Sequence, residues 1–233
     1  LYMKKMELLV KNLLLLHLLI SILFLTYCEQ SNVRVEDNLD DIIGQMFMVG
    51  FKGYEITPDN PIINDLTLNK IGGVVLFDYD VPTQKFERNI QSPEQLKKLI
   101  EQVNEYSSVK PLIAIDMEGG RVNRLKTNYG FPPTVSAQYL GTKDNLDTTR
   151  FYAGRIAETL KQMGINVNLA PVVDVNVNPE NPVIGKIERS FSADPYMVTK
   201  HASAFIDMHH DYNIVTTLKH FPGHGSSMAD SHL

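Results

Sequence analysis

Cysteine is almost missing from this chain: Cys28 is the only one in 233 residues, so no intramolecular disulfide can staple the fold. An excess of basic charge is missing too. Lys and Arg total 22 against 27 for Asp and Glu, a formal net charge of -5, and the basic face that nucleic-acid binding requires is not expected. A long apolar run is also lacking. The most apolar stretch, residues 13–25, is broken by His17 and Ser21 and falls short of the roughly 20 residues of a stable membrane span. No glycine-rich phosphate loop follows the first apolar run after it, which weakens a nucleotide-binding reading. Nor is there an internal repeat or a low-complexity stretch beyond the N-terminal segment.

What is present begins with that segment. Lys4 and Lys5 precede the apolar run, and a polar stretch, Glu29 to Asn38, follows it. A positive start, a short apolar segment and then polar sequence is the anatomy of a secretory signal. Cys28 ends the run as Leu25-Thr26-Tyr27-Cys28, which resembles a bacterial lipobox except that Tyr27 stands where a small residue is usual. The expectation is a lipoprotein signal over 1–28, lipidation at Cys28, a polar tether over 29–38, and an exported protein held to a membrane by its lipid. An ordinary cleaved signal and an uncleaved anchor remain open.

Beyond residue 38, short apolar runs alternate with amphipathic segments. Residues 46–51, 72–77, 111–117, 167–175 and 214–221 read as strands apolar on both faces, as a helix-covered parallel sheet requires. Between them, Ser92-Pro93 with Gln95 predicts an N-cap, a first-turn proline and a capping box. Leu96, Leu99, Ile100 and Val103 then share one helical face. Tyr152, Ile156, Leu160 and Met163 mark a second helix, stopped by Gly164. Asp194-Pro195 opens a third, with Val198, Ala202, Phe205 and His209 at helical spacing. The alternation gives an α/β fold. Asp116, Asp174 and Lys219-His220 fall at C-terminal strand ends, which favours a (β/α)8 barrel over an open sheet.

Two polar clusters could carry chemistry. The denser is Lys219-His220-Phe221-Pro222-Gly223-His224-Gly225, followed by Asp230-Ser231-His232. Its proline and glycines mark a loop just past a strand, where reactive groups tend to sit. A zinc site is a competitor, but His-x3-His spacing normally works on a helix, and Pro222-Gly223 disfavours one. A Ser231 triad suffers because adjacent side chains of an extended segment point to opposite sides. The same geometry lets Asp230 and His232 pair, leaving one imidazole nitrogen free for proton exchange. The other cluster is Asp116-Met117-Glu118-Gly119-Gly120-Arg121-Val122-Asn123-Arg124. It reads as a tight polar pocket suited to sugar hydroxyls; the plainer reading is a structural ion-pair network.

These motifs, with Asn168 to Val175 (NLAPVVDV) and Arg189-Ser190-Phe191 between them, resemble glycoside hydrolase family 3 in order and spacing over residues 39–233. The Lys-His-Phe-Pro-Gly-His-Gly run with Asp-Ser-His is similar to the β-N-acetylglucosaminidase branch. The resemblance implies a (β/α)8 barrel and retaining hydrolysis of terminal β-linked N-acetylglucosamine from peptidoglycan or chitin-type fragments. It implies that Asp116, Arg189, Lys219 and His220 hold the sugar and that Asp230 and His232 are the acid/base dyad. No cofactor and no metal are expected, and the partner is a glycan substrate. The family's nucleophile, an aspartate on a later strand, matches no residue here. With five strands visible where eight close a barrel, the expectation is an incomplete reading frame, inactive by itself. A β-glucosidase or β-xylosidase of the same family, and a non-catalytic amino-sugar-binding lipoprotein, are the alternatives.

Overall fold

Short runs of β-branched and aliphatic residues, punctuated by glycines and by capped amphipathic helices, produce an alternating chain. A computed structural model of the protein describes residues 39–230. In order it forms α1 (Leu39–Gln45), β1 (Met48–Gly50), α2 (Ile62–Thr67), β2 (Gly73–Leu76), α3 (Pro93–Tyr106), β3 (Leu112–Ile115), β4 (Met117–Gly119) and β5 (Val122–Asn123). Next come α4 (Ala137–Lys143), α5 (Leu146–Met163), β6 (Val167–Asn168), α6 (Pro195–Asp211) and β7 (Val215–Thr216).

Strands β1, β2, β3, β6 and β7 lie side by side in that order, each pair parallel. Each new strand is added on the same side of the last. A doubly wound sheet reverses its order at a switch point; the described strands contain no such reversal and follow the progression of a (β/α) barrel. The pair β4–β5 is a separate antiparallel ribbon directly after β3. Val74 and Leu76 of β2, and Ile113 and Ile115 of β3, pack with Leu96, Leu99 and Val103 of α3 and with Ile156 and Leu160 of α5 in one core. Fully burying each such side chain contributes about 1.5–3 kcal/mol.

The helix ends follow from their residues. The Ser92 hydroxyl accepts the Gln95 N–H at 3.2 Å, and Pro93 occupies the first turn. The capping box expected here is altered: Gln95 Oε1 accepts the N–H of Gln91 at 2.8 Å, and its amide donates to the carbonyls of Tyr54 and Asn89. One side chain thus ties the start of α3 to two neighbouring loops. Asp194 caps α6 through the Tyr196 N–H at 3.0 Å. Gly164 ends α5 at φ +89, a conformation open to a residue without Cβ.

The last two expected strands are shorter than the sequence suggests. The run 167–175 pairs as a strand only at Val167–Asn168, and the run 214–221 only at Val215–Thr216. Pro171 has no N–H to give to a ladder, and pairing resumes only at an isolated bridge between Val172 and Lys219. The freed segments become the loops that carry the polar residues.

Behind these strand ends lies a buried polar relay. His209 of α6 is fully buried. Its Nδ1 lies 2.9 Å from the Phe205 carbonyl, and its ring stacks on Phe205 at 4.2 Å between centroids. A carbonyl only accepts, so the ring proton sits on Nδ1. Nε2 then accepts from the Asn168 amide at 2.9 Å. Burial pushes His209 down to about 4, against the pull of its bond to Phe205. A second proton would point an N–H at the Asn168 NH2 group.

That preference ties stability to pH. Between about 4 and 6.5 the unfolded chain binds a proton that the folded chain refuses, so stability is full above 6.5 and falls as pH drops toward 4. A histidine held that low contributes about 3 kcal/mol to the difference. His201, also buried and pushed down by burial, acts in the same direction. Urea denaturation should therefore show the wild type losing about 3 kcal/mol more than His209→Gln between pH 7 and pH 4. Parallel pH profiles for the two proteins would contradict the buried neutral state.

Candidate functional site

The C-terminal ends of the parallel strands deliver the charged groups. Asp116 follows β3, Glu118 lies in β4, Asp174 stands beyond β6, and Lys219 and His220 stand beyond β7. Arg189 arrives on the long loop that precedes α6. Asp116 and Glu118 are two apart in an extended segment, so they share a face while Met117 between them points into the core at 2% exposure.

The side chains form a chain of alternating sign. Arg124 reaches Asp116 Oδ2 at 3.4 Å, and Lys219 Nζ bridges Asp116 Oδ1 at 2.8 Å and Glu118 Oε1 at 2.6 Å. Arg189 grips both oxygens of Glu118 through Nε at 2.8 Å and Nη2 at 2.7 Å, the bidentate fork that makes such pairs strong and directional. A further Arg189 N–H is donated to the Val183 carbonyl at 2.9 Å. Arg189 Nη2 also stands 3.1 Å from His220 Nε2, and His220 Nδ1 stands 2.7 Å from Asp174 Oδ2. A guanidinium only donates, so Nε2 is the acceptor and the His220 proton lies on Nδ1, toward Asp174.

Asp174 does a second job. Its carboxylate also accepts the backbone N–H groups of His220 and His224, fixing the loop that follows β7. Gly225 in that loop passes so close to Val175 that a Cβ would fall 1.8 Å from its carbonyl oxygen, which leaves room only for glycine. Asn181 and Asn178 hold the loop from outside through the carbonyls of His224 and Ser227. The loop is not helical, as Pro222 and Gly223 lead one to expect, and the peptide bonds before His220 and Pro222 are cis.

Burial and charge set the protonation states. Burial raises the Asp116 carboxyl, but the Lys219 and Arg124 cations and their hydrogen bonds outweigh it and hold it below the ordinary carboxylate range. Burial likewise raises Asp174, and the bonds from the His220 ring and the backbone N–H groups bring it down. Burial lowers Arg189, and its contact with Glu118 raises it above the usual value. The cluster therefore offers fixed anionic acceptors beside fixed cationic donors. A ligand that both gives and takes hydrogen bonds at several places suits it.

Of the residues singled out in the sequence, Asp116, Arg189, Lys219 and His220 are brought into this one network. Asp230 lies partly buried at the far end of the loop after His220. His232 and Cys28 lie outside the described residues. Among the described residues no group of three His, Cys, Asp or Glu side chains is arranged to hold a metal ion, and no helix is long and apolar enough to cross a membrane. The ion-pair network weighed as the plainer reading of the Asp116 cluster is present, and it is built from the same residues as the pocket. Sequence reasoning gave no role to Glu118, although the spacing of Asp116 and Glu118 signals a shared face. Asp174 is legible at a strand end, but its orienting of His220 is not; Arg124 closes the same polar cluster as Asp116, but its role as the second clamp on that carboxylate is visible only in the fold.

Comparison with known proteins bears on the family and the fold. Residues 38–233 match the model of the glycosyl hydrolase family 3 N terminal domain. The chain is 34% identical over 227 residues to a β-hexosaminidase A of Pseudoalteromonas piscicida, covering 90% of this chain and 37% of the relative. It is 35% identical over 188 residues to a β-hexosaminidase of Idiomarina loihiensis, covering 80% and 52%. Among solved structures, a family 3 β-N-acetylglucosaminidase from a Paenibacillus species superposes with TM-score 0.75 at 33% identity, over 84% of this chain and 35% of that one. A β-N-acetylhexosaminidase from Beutenbergia cavernae superposes with TM-score 0.72 at 30% identity, over 83% and 56%. The chain thus spans about half, or less, of the length of these relatives.

Replacing Glu118 by Gln should strand two cations in a pocket where the Glu118 side chain is 5% exposed. Breaking one partner of a buried pair costs about 3 kcal/mol or more. Glu180→Gln, which loosens the exposed pair with Lys186 at 3.2 Å, should cost less than about 1 kcal/mol. Denaturant melts of the two variants that moved equally would show that the buried network carries no special weight.

Proposed function

Because the chain belongs to glycoside hydrolase family 3 through its N-terminal domain, we propose that the protein is a retaining, exo-acting β-N-acetylhexosaminidase that removes terminal N-acetylglucosamine from peptidoglycan or chitin-type fragments. The observation that carries the reading is the single network of Asp116, Lys219, Glu118, Arg189, His220 and Asp174 at the strand ends. Relatives named β-hexosaminidase support it.

In this reading the terminal sugar lies against Asp116, which accepts from its hydroxyls, and against Lys219, Arg189 and His220. Glu118 and Asp174 behind them keep those groups from swinging. The loop pinned by Asp174 and Gly225 leads on to Asp230 and His232. The carboxylate of Asp230 accepts a hydrogen bond from one His232 N–H, which keeps its proton. The other nitrogen gives its proton to the glycosidic oxygen as the C1–O bond breaks and a carboxylate attacks C1. In the second step the same nitrogen takes a proton from water, whose oxygen displaces the carboxylate from C1. The attacking carboxylate is assigned to none of the described residues.

His232→Ala, made in the protein that carries this chain, should slow hydrolysis of an N-acetylglucosaminide with a poor leaving group by about a hundredfold or more. For an activated aryl leaving group, which needs no protonation, the first step should slow far less. Equal losses on both substrates would remove His232 from the general-acid role. A protein that binds the sugar tightly and never releases an alcohol would make it a binding protein instead.

Export and lipidation at Cys28 complete the proposal. Labelled fatty acid should enter the wild-type protein and not Cys28→Ala, and equal labelling of both would dismiss the anchor.

A further inference from the structure

We propose that His209, which lies on α6 outside the pocket, is a positioning residue for the sugar-holding carboxylates, acting through the side chain of Asn168 on the backbone of Met117. The inference rests on the reading of the pocket as a sugar site. Its physical basis is independent of that reading.

Met117 stands between Asp116 and Glu118, so whatever holds its two peptide groups aims both carboxylates. The parallel pairing of β3 with β6 ends at Ile115 and Asn168, and its last backbone bond runs from the Leu169 N–H to the Ile115 carbonyl at 2.9 Å. No strand of that sheet pairs with Met117, whose strand partner is Asn123 of β5 in the separate ribbon. Instead the Asn168 amide takes the place of one: its oxygen accepts the Met117 N–H at 3.0 Å, and its nitrogen donates to the Met117 carbonyl at 3.0 Å. Asn168 is fully buried, so a wrongly turned amide would set oxygen against oxygen with no water to relieve it.

An asparagine amide is nearly symmetric in shape, and the Met117 N–H and carbonyl select which end faces which. His209 holds the amide in that orientation. Its Nδ1–H is spent on the Phe205 carbonyl, so Nε2 can only accept, and it accepts the second Asn168 N–H at 2.9 Å. The ring cannot turn away, because it is stacked on Phe205. Every hydrogen of the Asn168 amide thereby has an acceptor, and the register of Met117 is fixed. Glu118 then meets Arg189 and Lys219, and Asp116 meets Lys219, at the distances given above. Remove the acceptor at His209 and one buried N–H is left without a partner; the amide tilts, and the two carboxylates move with Met117.

The test compares His209→Leu, which has no acceptor, with His209→Gln, whose side-chain oxygen can take the Asn168 N–H. The first readout is solvent exchange of the Arg189 Nε–H, the proton bonded to Glu118, followed by NMR. The second is KM and kcat on an aryl β-N-acetylglucosaminide, measured in the protein that carries this chain. For His209→Leu we expect exchange to accelerate and KM to rise, each about tenfold, with kcat within about threefold, as for one unsatisfied buried donor. His209→Gln should return both to within about threefold of wild type. Unchanged exchange and KM in His209→Leu would overturn the proposal, and so would equal losses in the two variants, which would make the residue a packing element only. Absence of turnover in the wild type would sink the sugar-site reading, while the Arg189 exchange still decides the positioning role. Should His209→Leu fail to fold, the wild type decides it. Acidification through about pH 4 must shift the Met117 amide resonance with the same midpoint as the His209 ring, and different midpoints would refute the coupling.

Discussion

The ammonium of Lys219 sits within 3 Å of two carboxylates, Asp116 and Glu118, that lie about a hundred residues earlier in the chain. Nothing local brings them together. The contact needs β7 to pair with β6, β6 with β3, and the Asp-Met-Glu segment to remain extended after β3 ends. The inner strands β2 and β3 that anchor this order are apolar and largely buried, so the polar site rests on the apolar core. The parallel direction of every pairing sends all the strand ends to one edge, and that is why residues so far apart in sequence can share a pocket.

Once the carboxylates are there, sign and geometry dictate the rest. Two acids on one face would repel each other unless a cation lay between them, and Lys219 does. The second oxygen of Glu118 would be left without a partner in a site almost closed to water, and the Arg189 fork takes both oxygens. The other N–H of Arg189 Nη2 is presented to His220, which fixes the tautomer of that ring and places its proton toward Asp174 on the opposite nitrogen. Each residue in the series is chosen by the unsatisfied valence of the one before it.

Much of this was legible in the residues, for reasons that can be stated. The five apolar runs are short and bounded by glycine or proline, and capped helices separate the last four, so the parallel α/β order followed from them. Ser92, Asp194 and Gly164 each mark a helix end by their own chemistry, and each does so in the fold. What did not follow was the length of the last two strands. Val167 to Val175 looks largely apolar, but Pro171 withholds an N–H and the segment leaves the ladder. The roles of Glu118, Asp174 and Arg124 were also hidden, because a carboxylate's partner is set by tertiary neighbours. Gln95 shows the same limit on a small scale: the cap was readable, but its side chain serves the Tyr54 and Asn89 carbonyls that folding brings near.

A network of this kind is a poor way to stabilise a domain. Taking charges out of water costs several kcal/mol for each ion, and packed apolar side chains of similar volume often do as well or better. The chain has such side chains a few residues away, in Ile113, Ile115 and Met117, yet at the strand ends it changes abruptly to carboxylates, an ammonium and a guanidinium. Groups that satisfy one another so fully gain little for the fold beyond orientation. Orientation is what a binding site needs, since fixed donors and acceptors meet a ligand without having to be reordered first. The buried relay from Phe205 through His209 and Asn168 to Met117 extends the same economy one layer deeper, where no ligand can reach and only the aim of the carboxylates is at stake.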